Sequence, residues 1–240
     1  MAPLLEEPLR TFRWSSSVAK RRVSRPPDSE DPQMPDIEPE PSVAAEIFGD
    51  RIGVARQFTA SLAEHGEERG LIGPLEPPRI WSRHVLNSAA AAPLFSGRVG
   101  DVGSGAGLPG LVLAIARPDV EWILIEPMER RVAWLSEQVA ELGLDNVEVL
   151  RARAEDWKRG PVLDAATARA VSALRTLVPI TAPLVRDGGE LILLKGASAG
   201  DEIAAAEKQL RKFKITNARV EVVGAGLLAE PTRVVRATVR

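Results

Sequence analysis

The chain has 240 residues, of which 45% are hydrophobic and 27% charged, and its formal net charge is −2. This composition is typical of a soluble globular protein, and no window approaches the roughly 20 uninterrupted apolar residues that a membrane span requires. The absence of cysteine excludes disulfides, thiolate nucleophiles and cysteine-ligated zinc. We expect no metal site, because the two histidines, His65 and His84, stand far apart in the sequence. The N-terminus lacks the apolar core of a signal peptide, so we expect a cytoplasmic protein.

The first 41 residues differ from the rest of the chain. They carry eight of the nineteen prolines and almost no periodic apolar pattern, which is typical of a disordered tail. Two interpretations stay open. The tail is either a dispensable extension, with Met34 as an alternative start, or it carries a basic arm at Arg13–Arg25 that helps to hold RNA.

Residues 42–93 have the pattern of a small helical cap. Apolar residues recur at helical spacing from Ser42 to Glu64 with an interruption near Gly49, which predicts two short helices. A link rich in proline and glycine, GLIGPLEPPRI, leads to a helix predicted from about Pro78 to Ala92. We expect these helices to pack together as an N-terminal cap.

Strands and helices alternate in residues 94–240. The predicted strands are Arg98–Val102, VEWILIEP, VEVLRARAED, LDAATARAV, GELILLKG, NARVEVVG and TRVVRATV. Helices are predicted between them at PGLVLAIARP, MERRVAWLSEQVAELG, Leu174–Leu184 and Asp201–Phe213. This alternation predicts an α/β, Rossmann-like fold with a mostly parallel seven-stranded sheet, in which the last two strands form an antiparallel hairpin.

A glycine-rich turn, DVGSGAGLPG, follows the first strand. Its second half fits the G-x-G-x-x-G pattern of dinucleotide sites, with Glu126 about twenty residues later. Asp101, however, stands where a dinucleotide fold normally has an apolar residue. A carboxylate beside the ligand disfavours a pyrophosphate and favours an ammonium or sulfonium group. A P-loop is excluded, since no Gly-Lys-Ser/Thr follows the turn.

Two further loops are predicted at the same edge of the sheet. Glu126 ends the second strand and is placed to accept hydrogen bonds from ribose hydroxyls, whereas Ala154 and Glu155 come at the end of the third predicted strand and are placed to meet an adenine edge. Ligands bind at this edge in open α/β sheets. The pattern indicates S-adenosylmethionine as the cofactor, with NAD(P) or a purely structural turn as the alternatives.

The motifs DVGSGAGLPG, LIEPMERRVAWL, RAED, ARAVSAL, LKG and RHVLNS all occur in this chain. Together they resemble the RsmG or GidB family of small-subunit ribosomal RNA guanine-N7 methyltransferases, over about residues 41–239. The resemblance implies a class I methyltransferase domain at 94–240 that uses S-adenosylmethionine. It also implies methyl transfer to N7 of a guanine in small-subunit (16S) ribosomal RNA.

The chemistry of guanine N7 agrees with what the chain lacks. N7 offers a lone pair and carries no proton, so the enzyme needs alignment and desolvation rather than a strong base. Without cysteine the chain cannot methylate a pyrimidine carbon through a thiolate adduct. The Asn/Asp-Pro-Pro-aromatic motif of exocyclic-amine methyltransferases is also missing at the fourth strand, where ATARAVSAL stands instead.

The predicted site residues fall into two groups. The cofactor is expected to contact Asp101, Gly103, Gly105, Leu108, Glu126, Ala154, Glu155 and Arg169. The RNA side is expected to comprise Arg83, His84, Arg169 and Lys195, and we expect catalytic roles for Arg169, His84 and Lys195.

Each of the RNA-side residues keeps a plainer alternative. Arg169 would clamp the cofactor carboxylate or an RNA phosphate, or it makes a structural salt bridge. Lys195 would bind a phosphate or guanine O6, or it is a solvated strand end. His84 would face the substrate, or it is a buried histidine with satisfied hydrogen bonds. A late basic cluster at Lys208, Arg211, Lys212 and Lys214 would contact RNA or form a solvated helix face.

The expected partner is small-subunit ribosomal RNA or the assembling small subunit, and the protein is expected to be a monomer without membrane or metal. Three alternatives stay open for the function. They are a methyltransferase with the same fold that acts on another substrate, an inactive protein that has kept a cofactor pocket, and an NAD(P) oxidoreductase.

Overall fold

The structure is a computed structural model that describes residues 37–160 and 162–240. Most of the predicted disordered tail, with Met34 and the basic arm Arg13–Arg25, lies outside the described residues. The division of the rest into a cap at 42–93 and a second segment at 94–240 stays a prediction from sequence. Within the described residues, no helix combines the length and apolar character needed to cross a membrane. The same residues contain no group of three or more carboxylates and histidines arranged to hold a metal ion.

The predicted sheet is confirmed. Its seven strands are β1 (Arg98–Val102), β2 (Glu121–Glu126), β3 (Val147–Arg151), β4 (Leu163–Thr167), β5 (Val185–Lys195), β6 (Thr216–Val223) and β7 (Thr232–Thr238). Their order is β3-β2-β1-β4-β5-β7-β6. The first five strands are parallel, and β7 runs antiparallel to both of its neighbours. The carboxyl ends of β1 to β5 therefore meet at one edge of the sheet.

The helices lie between the strands and ahead of them. They are α1 (Val43–Phe48), α2 (Ile52–His65), a π-helix (Ile80–Leu86) that continues into α3 (Asn87–Ala89), α4 (Gly110–Ala116), α5 (Glu129–Glu141), α6 (Leu174–Thr181), α7 (Ala199–Ala205) and α8 (Glu207–Lys212). A 3₁₀ turn with Gly49 at φ +50° separates α1 from α2, so the predicted interruption at this glycine is confirmed.

Side chains alternate between the two faces of the sheet along each strand. Both faces are covered by helices. In β2, Leu124 packs with the cap helices, α4 and α5, whereas Ile123 and Ile125 pack with α6, α7 and α8. Trp122, also in β2, is fully buried against Phe95 in an edge-to-face contact with ring centroids 5.2 Å apart. The cap thus shares one apolar core with the helices that follow β1 and β2.

Several elements differ from the sequence-based prediction, including the fourth strand, predicted over LDAATARAV but ending at Thr167, and the fifth, which begins at Val185 rather than Gly189. The helix predicted over Pro78–Ala92 is a 3₁₀ turn, then the π-helix, then α3. The third strand ends at Arg151 and is followed by a 3₁₀ turn at Ala154–Asp156. The helix predicted over Asp201–Phe213 is divided at the buried Ala206. The third strand differs in where it ends, and element ends are the least well defined positions, whereas the two predicted helices are interrupted within their length.

Candidate functional site

The glycine-rich turn leaves β1 through a backbone that only glycine adopts easily. Gly103 has φ +74° and Gly105 has φ +55°, values that are costly for any residue with a Cβ. A Cβ on Gly103 would also lie 2.8 Å from the Val171 side chain. The turn is held from outside by Trp134, whose Nε1–H donates to the Ala106 carbonyl at 3.1 Å. The turn is therefore fixed both by its own backbone and by α5.

Asp101 lies beneath this turn. Its side chain is fully buried, and Oδ2 accepts a hydrogen bond from the Gly110 N–H at 3.0 Å, at the start of α4. Burial raises the pKa of Asp101 to about 7. Its other oxygen, Oδ1, is buried without a hydrogen-bond partner among the described residues. In this structure the carboxylate joins the turn to α4, and its predicted contact with a cationic ligand stays a prediction.

Glu126 ends β2 and faces the turn. Oε2 accepts the Gly105 N–H at 2.9 Å, and Oε1 accepts the Met128 N–H at 3.0 Å. The carboxylate is thereby held in one orientation, yet each oxygen keeps a lone pair for a further donor. Such a rigid acceptor at the end of the second strand suits the paired hydroxyls of a ribose.

A cavity of about 500 Å³ opens between the turn and the cap, and we call it the glycine cavity. Its lining includes Gly103, Gly105, Leu108, Glu126 and Arg169, five of the residues predicted to contact the cofactor. The volume is in the range of small-molecule sites. The structure brings these five residues together around one space.

Ala154 and Glu155 do not line the glycine cavity. They form the 3₁₀ turn after β3, in which Ala154 is buried and Glu155 exposed. The turn lies at the same edge of the sheet, because β3 is parallel to β2 and pairs with it. The adenine-edge role of these two residues stays a prediction.

Arg169 follows β4 and reaches into the cap. Its Nη1 donates to Ser88 Oγ at 3.0 Å and to the His84 carbonyl at 3.3 Å. Its Nη2 donates to the Arg83 carbonyl at 3.0 Å and lies 2.9 Å from His84 Nδ1. The guanidinium thus binds the π-helix and α3 through four contacts. Burial lowers its pKa to about 10, with a further lowering by the charge of Arg83.

These contacts account for the interrupted helix. The carbonyls of Arg83 and His84 accept hydrogen bonds from a side chain more than 80 residues later in the chain, and π-helical turns often occur where such contacts form a site. Periodicity in the sequence carries no sign of this partner. The sequence therefore predicted a helix here and could not predict its winding.

His84 connects Arg169 to the link that precedes the π-helix. Its Nε2 lies 2.7 Å from Glu76 Oε2. Because a guanidinium only donates, Nδ1 accepts from Arg169 and Nε2 carries the proton that it donates to Glu76. Burial, assisted by the charge of Arg169, lowers the pKa of His84 despite the nearby Glu76. The histidine is held neutral, in one tautomer and one orientation.

A second cavity of about 890 Å³ adjoins the first, and we call it the basic cavity. The two cavities share Arg169, Ala170 and Val171 as a common wall. The predicted RNA-side residues Arg83 and Lys195 line the basic cavity, while His84 lines the glycine cavity. All four predicted RNA-side residues therefore meet around this wall.

Lys195, at the end of β5, is held by the loop that forms the common wall. Its Nζ donates to the Ser172 carbonyl at 2.6 Å and to Glu202 Oε2 at 2.9 Å. Glu202 Oε2 also accepts the Leu174 N–H at 2.8 Å. The pair thus ties α7 to residues 172–174 rather than leaving Lys195 as a solvated strand end.

Sequence reasoning missed several residues of the glycine cavity. Leu71, Ile72 and Glu76 belong to the segment that was interpreted only as a link, and Met128 and Arg131 follow Glu126. Glu76 stands eight positions before His84, and its role depends on how the link folds back. Met128 and Arg131 lie just after an acid predicted to bind ribose, so the position of Glu126 was a usable signal for them.

Known proteins share much of this sequence. The family GidB, described as rRNA small subunit methyltransferase G, matches residues 51–230. A relative from Leifsonia xyli subsp. xyli, named ribosomal RNA small subunit methyltransferase G, is 68% identical over 205 residues, which are 85% of this chain and 98% of the relative. The protein of the same name from Clavibacter michiganensis subsp. michiganensis is 63% identical over 204 residues, covering 85% and 97% of the two chains.

Solved structures show the same fold at low identity. A 16S rRNA (adenine(1408)-N(1))-methyltransferase from Catenulisporales acidiphilia has a TM-score of 0.50 at 17% identity, covering 63% of this chain and 89% of that one. P. horikoshii TYW2 in complex with MeSAdo has a TM-score of 0.52 at 12% identity, covering 65% and 62%. Because the family match covers residues 51–230 and both named relatives are more than 60% identical over 85% of this chain, the chain belongs to the GidB family, that of rRNA small subunit methyltransferase G.

Proposed function

We propose that this protein transfers the methyl group of S-adenosylmethionine to N7 of a guanine in small-subunit ribosomal RNA. The observation that carries the proposal is the pair of adjoining cavities with Arg169, Ala170 and Val171 as their common wall. One cavity is built on the glycine turn, and the other is lined by basic side chains. Methyl transfer by in-line displacement needs a donor site and an acceptor site that meet in this way.

The glycine cavity fits the cofactor. Glu126 offers a fixed carboxylate to the ribose, and Gly103 lies so close to Val171 in the cavity wall that an added Cβ would be 2.8 Å from that side chain. S-adenosylmethionine supplies an electrophilic methyl group on its sulfonium. Gly103, Gly105, Leu108 and Glu126 would hold this cofactor by direct contact, with Asp101 acting through the turn and Arg169 at the boundary with the acceptor. Ala154 and Glu155 are proposed for the adenine end.

The residues at the common wall position the reactants. Arg169, His84 and Lys195 are each fixed by hydrogen bonds to the protein, and His84 is neutral with its proton directed at Glu76. Guanine N7 carries no proton at neutral pH, so alignment and exclusion of water suffice. The target guanosine must be unstacked to enter the basic cavity, because N7 of a stacked base is poorly accessible in folded RNA.

The proposal extends to partners and location. The substrate is small-subunit ribosomal RNA or the assembling subunit, encountered in the cytoplasm by a monomer. The relatives' names mention the ribosomal small subunit, which favours this acceptor over a small molecule or a protein side chain on the same fold.

The test is methyl transfer to a defined substrate. Purified protein, labelled S-adenosylmethionine and small subunits from a strain lacking this gene are combined, and the RNA is digested and analysed by nucleoside mass spectrometry. We expect 7-methylguanosine at one site, and we expect Arg169→Ala and Asp101→Ala to abolish it. Arg211→Ala is the control and should retain activity, because Arg211 lines neither cavity.

Two results would contradict the proposal in different ways. Label in another nucleoside, or only in a small molecule, would leave the cofactor in place and replace the acceptor. Cofactor binding without any labelled product, in naked RNA or in subunits, would indicate an inactive binding protein.

A further inference from the structure

The charged side chains that line the basic cavity differ in how far they are paired with other groups of the protein. Four basic residues and two acidic residues line it, namely Arg83, Arg169, Lys195, Arg233, Glu202 and Glu230. Glu202 is paired with Lys195, and the Arg169 guanidinium is occupied by the cap. Arg83 and Arg233 therefore supply the cationic groups that remain for a ligand.

Both arginines lie near a contact between the cap and β7. Thr232 Oγ1 donates to the Asn87 carbonyl at 2.7 Å, which joins the start of β7 to the end of the π-helix. Arg83 lies about one helical turn before Asn87, and Arg233 directly follows Thr232. Arg233 is also the register partner of Lys195 across the β5–β7 ladder. The two arginines thus stand on either side of one junction, and both line the cavity.

Exposure and pairing distinguish these arginines from the rest of the cavity. The Arg83 side chain is 51% exposed, and its only ion-pair contact in the described chain is Glu76, at 3.4 Å. Arg233 is exposed and, among the described residues, makes neither an ion pair nor a side-chain hydrogen bond. Glu230 also lines the cavity and is exposed, and it forms no ion pair with either arginine in this part of the structure.

A second basic cluster among the described residues does not line the cavity. Lys208, Arg211 and Lys212 belong to α8, and Lys214 follows it just before β6. Because β6 is parallel to β5, its first residue lies at the edge of the sheet opposite the carboxyl ends of the parallel strands. This cluster is therefore on the wrong side to guide a nucleotide into the basic cavity.

We propose that Arg83 and Arg233 form the mouth of the basic cavity and bind the RNA phosphates on either side of the nucleotide that enters it, whereas the basic cluster of α8 does not contact this RNA. The inference rests on the proposed function and assigns the path of its substrate. A guanidinium binds phosphate oxygens through two parallel hydrogen bonds, so two of them hold a strand in a fixed register. The cavity volume of about 890 Å³ accommodates an extruded nucleotide.

The experiment compares equal losses of charge at the two places. Arg83→Ala, Arg233→Ala and their double variant are compared with Arg211→Ala, Lys212→Ala and their double variant. Steady-state methylation of small subunits that lack the modification is measured at several salt concentrations, and the Kd for S-adenosylmethionine is measured by calorimetry. Arg233→Lys preserves the charge without the planar fork, and melting temperatures verify that every variant is folded.

We expect each mouth variant to raise KM for the subunits about 5-fold and to reduce the slope of log kcat/KM against log salt by about 0.7, the value for one contact to single-stranded nucleic acid. The Kd for the cofactor should not change, and Arg233→Lys should be intermediate. The α8 variants should match the wild type.

The inference is overturned if the mouth variants match the wild type, or if only the α8 variants raise KM and reduce the salt dependence. In either case the wild type still methylates RNA, so the proposed function survives. If the wild type itself methylates no RNA, the proposed function fails and this inference fails with it.

Discussion

Arg169 Nη2 lies 2.9 Å from His84 Nδ1, and this single contact sets the protonation of the histidine. Arg169 can only donate, so Nδ1 accepts and the proton is on Nε2, facing Glu76 at 2.7 Å. A chain of contacts therefore runs from the end of β4 through the π-helix to the link at residue 76. This chain of contacts crosses the boundary between the two cavities. A substitution at either end is therefore expected to alter both cavities.

Replacing Arg169 by lysine tests this chain of contacts. Lysine keeps the charge but has a single nitrogen, so it cannot reach Ser88, His84 and the Arg83 carbonyl together. We expect Arg169→Lys to lower kcat about 100-fold, since small misplacements of reacting groups have effects of this size. Hydrogen exchange should also be faster in the π-helix. Arg175→Lys, an exposed residue on α6, is the control, and equal activity of the two variants would contradict the role of the contacts.

His84 should make stability depend on pH in a defined direction. Its pKa is lowered by burial and by Arg169, so the unfolded chain binds its proton at a higher pH than the folded protein does. The stabilisation is therefore complete above the unfolded pKa of about 6.5 and decreases as the pH falls below it, by at most about 1.4 kcal/mol per pH unit.

Urea unfolding between pH 5 and 8 measures this effect in two variants. His84→Gln should lose the contribution, because glutamine offers Arg169 an acceptor that does not titrate. His65→Gln changes the other histidine of the chain, which is on the surface. This variant should keep the wild-type slope of unfolding free energy against pH. The same slope in all three proteins would contradict the assignment.

Asp101 should act in the opposite direction. Burial raises its pKa to about 7, so the folded protein holds a proton that the unfolded chain has released. Its contribution is therefore complete below the unfolded pKa of about 3.9 and is lost as the pH rises through about 7, by roughly 2 kcal/mol between pH 5 and 8.

Asp101→Asn keeps an acceptor for the Gly110 N–H and should flatten this part of the curve, as measured by urea unfolding without cofactor. Asp119→Asn, at an exposed position, should leave it unchanged.

The sequence predicted the framework of the site better than its contacts. Strand alternation gave the order of elements, and the glycine turn with Glu126 predicted the edge at which a cavity is found. Arg169 was predicted as a site residue, but its partners in the cap come from a segment more than 80 positions earlier, and no local pattern reveals such a pairing. The same limit applies to Glu76, because its importance comes from the return of the link to His84. Asp101 lies near the end of β1, the strand in which it was predicted, whereas its contact with the Gly110 N–H depends on how α4 begins.

Gly103 is a residue of the turn at which a Cβ would meet the wall shared by both cavities. Its φ is +74°, and an added Cβ would lie 2.8 Å from Val171. We expect Gly103→Ala to weaken cofactor binding at least 10-fold and to destabilise the fold by about 1 kcal/mol through the left-handed backbone. Gly143→Ala is a matched control, since Gly143 has φ +59° and a Cβ added there would have nothing within 4 Å. It should show a similar loss of stability with normal binding by calorimetry, and a parallel loss of binding would refute the steric argument.

The Lys195–Glu202 pair should affect methyl transfer more than cofactor binding. The pair fixes residues 172–174 behind the common wall, and the Lys195 side chain is only 9% exposed. We expect Lys195→Met and Glu202→Gln each to destabilise the fold by about 2 kcal/mol, since hydrogen bonds to charged groups contribute this much, and to lower kcat with little change in the Kd for S-adenosylmethionine. A double-mutant cycle should give a coupling of about 1 kcal/mol.

The control for this pair comes from the same sheet. Arg236 and Glu190 form an ion pair across β5 and β7 at 2.8 Å, and Glu190 lies at the midpoint of β5 and lines neither cavity. Arg236→Met and Glu190→Gln should therefore cost stability without lowering kcat at a temperature where the protein stays folded. If the two cycles lower kcat equally, Lys195 and Glu202 act only through global stability. If only the Lys195–Glu202 cycle does so, the loop behind the common wall positions the acceptor for transfer.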